Sequence, residues 1–257
     1  MNSAWLISWL QGLLFFCCAF TAAKLYYLGL HRRYRILFIY LALRVPHSVW
    51  PLLLNVRSNA YYYVWLATSP VFLTLYILIV FELYRLVLEN YRGLHSLFRW
   101  AMYVFSIVAV SLSGLSLLLQ IKPSDSGRNI IIRVAFAVER GVDTSLAVFL
   151  ILLLLLLSRY PVRMSANVRL YAFIFPIFFL GNTVALLIRS IGVAMNTSAS
   201  IVLQIVSVCC VGTWLFAFSR KGEDVPVATR QLAEAEETRL LNQLDALNTT
   251  LLRVSRR

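Results

Sequence analysis

Seven apolar stretches, each long enough to cross a bilayer, fill the chain from Ala4 to Ser219. A hydrocarbon core of ~30 Å takes about 20 apolar residues as a helix. Lipid offers no partners to backbone N–H and C=O groups, so such segments satisfy their own as helices. The pattern predicts spans at 4–28, 36–57, 61–86, 98–120, 130–157, 168–190 and 198–219. The expected fold is therefore an all-α integral membrane bundle of seven helices occupying 1–219, with a short cytoplasmic helix in 220–257. A mean hydropathy of +0.77 lies outside the range of soluble domains. No positive charge precedes the first apolar run, and the run is long, so it reads as a span and not as a cleaved signal.

Orientation follows from where Lys and Arg sit beside the spans. The connections after spans one, three, five and seven carry twelve basic residues: Lys24, Arg32, Arg33, Arg35, Arg85, Arg92, Arg99, Arg159, Arg163, Arg169, Arg220 and Lys221. The opposite side carries five: Arg57, Lys122, Arg128, Arg133 and Arg189. The N-terminus is thus expected outside and the C-terminus in the cytoplasm. Basic loops beside anionic lipid account for the net charge of +13 without any nucleic acid.

Two of those loops echo one another. Tyr27 to Arg35 and Tyr91 to Arg99 both read Tyr-x-Gly-Leu-His-x-x-aromatic-Arg, the pattern a duplicated hairpin would leave.

Ionisable residues inside apolar spans are costly and so mark paired or functional sites. Arg44 falls within span two beside Pro46. Span five carries Glu139, Arg140 and Asp143, and Glu139 and Asp143 share a helix face because they are four apart. Glu139, Arg140, Asp143 and Arg189, with Asn182 nearby, form an expected polar cluster in the outer half of the bundle, either an ion-pair network or a ligand site. Arg44, about a third of the way up span two from the cytoplasmic side, is a further candidate for it. Glu82 and Arg85, three apart near the other end of span three, are expected to pair.

The remaining chemistry is sparse. Cys17-Cys18 and Cys209-Cys210 fall in mid-span, where thiolates are costly, so they read as small packing residues. The chain contains no phosphate loop, dinucleotide fingerprint, serine-hydrolase elbow or zinc-protease motif. No catalytic residue, metal or cofactor is expected, and the chain reads as a non-enzyme. Arginine outnumbers lysine 21 to three, a bias compatible with a bacterial inner membrane.

Beyond Gly222 the composition turns polar. Leu240, Leu244, Leu247, Leu251 and Val254 step by fours and threes, the seam of a coiled coil. Such a helix is expected to pair with a second copy or with a partner protein. The layout resembles bacterial seven-helix sensor regions that feed a coiled coil. The expectation is a signal-sensing or adaptor module working through this helix, with the lipid bilayer its other partner. The alternatives are a transporter using the intramembrane charges, or a structural subunit of a membrane complex.

Overall fold

A computed structural model describes residues 3–53, 58–88, 107, 127–159, 164–191 and 195–223. All regular structure among them is helical. The long helices are α1 (Ser3–Tyr27), α2 (Arg35–Leu53), α3 (Asn59–Leu88), α4 (Gly127–Arg159), α5 (Ala166–Ile191) and α6 (Asn196–Ala217). Four of them, α1, α3, α5 and α6, contain windows long and apolar enough to cross a membrane, and the chain is a membrane protein on that ground. The expected fourth span at 98–120 lies outside the described residues apart from Ile107, and the leucine seam at 240–254 lies wholly outside them.

The six helices pack as a ring in chain order, closed by α6 against α1, with α3 also reaching α5 across it. α5 is the most enclosed: 61 % of its apolar window is buried, against 17 % for α1. Its outer face shows Phe173, Ile177, Leu180, Val184 and Leu187, a stripe at helical spacing. α1 shows Trp5, Trp9, Leu13, Phe16 and Phe20. Exposed apolar stripes of this size match lipid tails, not water.

Local chemistry sets the helix ends. Ser58 Oγ accepts the Tyr61 N–H at 3.1 Å at the start of α3, and Ser165 Oγ accepts the Val168 N–H at 3.3 Å at the start of α5. α1 stops at Gly29, whose φ of 72° is the left-handed conformation that glycine adopts without a Cβ penalty. Lys24 donates to the carbonyl oxygens of Leu215 and Phe216, satisfying the exposed end of α6. Between α5 and α6 the backbones come close at Gly181, where any Cβ would meet Val206 Cγ1 at 2.6 Å.

The bundle has two unlike halves. Near the start of α1 and the end of α5 the helices splay around a cavity. Toward the other end they close on an aromatic layer in which Phe175 lies 4.8 Å from Trp214 and 4.9 Å from Tyr171 by ring centroids. Tyr34, Tyr171, Phe175, Phe178, Phe179 and Trp214 are all buried there.

Candidate functional site: a charged cavity and a clasped junction

The cavity has a volume of about 350 Å³ and takes wall residues from all six helices. Gln11 comes from α1, Arg44 and His47 from α2, Tyr61 and Trp65 from α3, Glu139 from α4, Asn182 and Arg189 from α5, and Ser200 and Gln204 from α6. Such convergence of polar groups in an apolar bundle is costly unless the groups satisfy one another or a guest.

Arg189 is partly satisfied. Its Nη2 donates to Ser200 Oγ at 3.1 Å, and its guanidinium carbon stands 5.4 Å from the centre of the Phe136 ring. Ser200 Oγ in turn donates to the Asn196 carbonyl at 2.9 Å. Gln204 Nε2 donates to Gln11 Oε1 at 2.6 Å, tying α6 to α1 across the wall.

Arg44 is different. Its guanidinium lies 5.4 Å from the centre of the Phe72 ring, a cation–π contact. Among the described residues its guanidinium makes no hydrogen bond and no ion pair, although its carbonyl accepts the Ser48 hydroxyl at 2.8 Å. His47, 4.7 Å from the same ring, lies beside it and adds no negative charge. Glu139 lines the same cavity as Arg44 and Arg189, so one carboxyl group stands against two guanidinium groups.

The residues expected to cluster therefore separate. Arg44, Glu139, Arg189 and Asn182 share the cavity wall. Arg140 is half-buried on α4 and is not part of that wall; its carbonyl accepts the Thr144 hydroxyl at 2.7 Å. Asp143 is completely buried behind the wall, against Asn182.

Glu82 takes partners other than Arg85. Its oxygens accept the N–H groups of Ile36 at 2.8 Å and Leu37 at 3.3 Å and the Tyr171 hydroxyl at 3.2 Å. Arg85 is exposed. The expected pair is corrected for a physical reason: the first turn of α2 presents unpaired N–H donors and a positive dipole end, which hold a carboxylate better than a solvated arginine does.

A second polar centre closes the opposite end, where α6 leads toward the C-terminal segment. Glu223 forms an ion pair with Arg33 at 2.8 Å and accepts the Tyr34 hydroxyl at 2.8 Å and Asn167 Nδ2 at 2.6 Å. Asn167, itself buried, also donates to the Ser219 carbonyl at 2.7 Å and accepts the Ser219 N–H at 3.3 Å. Gly222 passes so close to Asn167 that a Cβ there would collide with the amide oxygen. Tyr34 packs edge-on against Tyr171, 5.6 Å between centroids. Burial, and next the Glu223 carboxylate, push the Tyr34 phenol above its ordinary range, which keeps it a hydrogen-bond donor.

Sequence reasoning passed over the clasp at Glu223. Its only prior signal is an acidic residue in an otherwise basic stretch, Arg220-Lys221-Gly222-Glu223. Gln11 and Gln204 were also passed over, although a glutamine in mid-span is itself a polar anomaly of the kind that Arg44 presents.

No family model, curated protein or solved structure matches the chain.

Proposed function

We propose that this chain is a non-enzymatic seven-helix membrane module that senses a small anionic solute. It holds the solute in the outer cavity and passes the bundle's state to a partner through the cytoplasmic leucine helix. The observation that carries the reading is the Arg44 guanidinium, a cation inside an apolar bundle with no hydrogen-bonding partner among the described residues, beside a second guanidinium in the same cavity. A half-buried cation in an apolar bundle is costly without a counter-charge. Glu139 supplies one negative charge for two positive ones, and a carboxylate- or phosphate-bearing guest supplies the rest. Guanidinium forks bind such groups with paired N–H donors.

Twelve basic residues against five support an orientation with the cavity outside and the Glu223 clasp in the cytoplasm. The leucine seam then projects into the cell, where pairing with a second copy or a partner helix gives the output. Arginine-rich composition fits a bacterial inner membrane.

Sensing is favoured over transport by the aromatic layer. A transporter needs polar groups continuing from the cavity to the other face. Below the cavity stand Tyr76, Phe178, Phe179, Phe175 and Trp214, with rings 4.8 to 5.7 Å apart in successive contacts. Meanwhile Glu223 fixes the start of the cytoplasmic segment to α2 and α5, two helices that also line the cavity.

The test is thermal melting of the full chain in detergent with acetate, succinate, glutamate and inorganic phosphate, choline serving as the cationic control. At a hundredfold excess over Kd a bound anion stabilises by about 2.7 kcal/mol. At least one anion is expected to raise the melting temperature, and Arg44→Gln is expected to weaken that response about tenfold or more, one charged hydrogen bond being worth ~1.5–3 kcal/mol. A shift that survives both Arg44→Gln and Arg189→Gln, or the absence of any anion-specific shift, overturns the reading.

A further inference from the structure

Behind the cavity wall, three buried oxygen atoms face a shortage of protons. Asp143 is 0 % exposed, and no hydrogen bond of ordinary geometry reaches either of its carboxylate oxygens, the Asn182 amide being the donor that acts on them. Asn182, 4 % exposed, lies against it with its own Oδ1 unpartnered. Buried acceptors without donors are rare in native proteins because each forfeits its hydration. Two explanations supply positive charge: a metal cation or a proton. A hard cation such as Ca²⁺ asks for about six to eight oxygen ligands. The neighbouring hydroxyl of Thr144 is already committed, donating to the Arg140 carbonyl and standing 3.2 Å from Thr183 Oγ1. A single proton suffices.

We infer that Asp143 carries a proton and pairs reciprocally with the Asn182 amide, donating to Oδ1 and accepting from Nδ2, forming a proton-binding site behind the cavity that links anion occupancy to pH. The neutral acid and the amide then satisfy one another across α4 and α5, each supplying one donor and one acceptor. Among the described residues the charged and titratable groups around this pair are few. Glu139 acts on Asp143 from the preceding turn of α4, and Tyr76 faces it from α3. Arg189 on α5 and Arg44 on α2, with His47 beside Arg44, act through Glu139. Arg140 belongs to the same helix turn.

The linkage follows from charge, and it rests on the anion reading above. With Asp143 protonated, two guanidinium groups outweigh the Glu139 carboxylate. As pH rises, Asp143 releases its proton to water, and a second negative charge appears four residues from Glu139. The two arginines are then neutralised from within, and a guest anion is repelled. Anion binding is therefore strong at low pH and weakens as pH rises.

Infrared spectroscopy of the full chain in lipid nanodiscs tests the site without any guest. At neutral pH the wild type is expected to show the carbonyl stretch of a protonated carboxyl group. That band persists in Glu139→Gln and is missing in Asp143→Asn. Asn182→Val keeps it but moves it to higher frequency, since the acceptor is gone; this variant decides the matter should Asp143→Asn fail to fold. Absence of the band in the wild type overturns the inference, as does its persistence in Asp143→Asn. Melting that rises with sodium in place of choline, and loses this dependence in Asp143→Asn, also overturns it, in favour of a bound cation. For the linkage, succinate is titrated at several pH values. Its affinity is expected to fall at least tenfold on alkalinisation in the wild type and to stay flat in Asp143→Asn; equal pH dependence in both overturns the linkage. The band without any succinate response overturns the anion reading and leaves the proton site standing.

Discussion

The Tyr34 hydroxyl donates to Glu223 Oε1 at 2.8 Å, joining residues 189 positions apart at the point where the bundle meets its C-terminal segment. Tyr34 opens α2 and is fully buried, whereas Glu223 sits in a three-residue turn after α6. Asn167 holds the same carboxylate from α5, so three parts of the fold converge on one side chain.

Tyr34→Phe removes the phenol donor and keeps the ring. The expected cost is about 1–3 kcal/mol, the range for a hydrogen bond to a charged acceptor, read as a lower melting temperature in detergent. The pH dependence has a definite sign. The folded phenol titrates above the ordinary value of 10.0, so the folded state binds its proton more tightly than the unfolded chain does. Its contribution is whole below about pH 10 and is lost as pH climbs above it. The gap between wild type and Tyr34→Phe is thus expected to be constant from pH 7 to 9 and to narrow in more alkaline solution. A gap that widens there contradicts the assignment.

Glu82→Ala uncovers the first turn of α2. Two N–H groups and the Tyr171 hydroxyl lose their acceptor in a largely apolar interior. The expected destabilisation is about 1–3 kcal/mol. Hydrogen exchange at Ile36 and Leu37 should accelerate, while Arg85→Ala should leave both amides unchanged. Equal effects from the two substitutions would restore the Glu82 and Arg85 pairing that their spacing implies.

The hydrogen bond between Gln11 and Gln204 links α1 to α6 in the cavity wall. A double-mutant cycle with Gln11→Leu and Gln204→Leu is expected to give a coupling of about 0.6 kcal/mol, typical of interhelical bonds in membranes. The check is unfolding in mixed micelles. A coupling of zero would mean that the two amides face the cavity independently.

Much of the fold was legible because lipid imposes a simple rule on length and polarity. α1, α4, α5 and α6 begin and end within a few residues of the apolar runs that predict them. The cavity was legible in part for the same reason: Arg44, Glu139 and Arg189 stand out against apolar neighbours, and any fold must bring such charges together or to an opening. Periodicity could not say that Asp143 turns behind the wall while Glu139 lines it, since a shared helix face is broader than one side chain. Nor could local spacing find the partners of Glu82. Three residues separate it from Arg85, but the first turn of α2 is 46 positions away and competes more strongly. The clasp was the least legible feature, because a loop carboxylate carries no period and its partners lie on three distant segments. The duplicated Tyr-x-Gly-Leu-His loop can be followed only once. Gly29 ends α1 in the left-handed conformation, and the second copy at 91–99 lies outside the described residues.

The stacked rings beneath the cavity give the described part of the bundle a floor, like that of a cup. On the sensing reading proposed above, a guest in that cup is felt at the other end only through tilting of the walls. Of those walls α5 is the most firmly held: it lines the cavity at Arg189, is gripped by neighbours along most of its length, and holds the turn at Ser219 and Glu223 through Asn167.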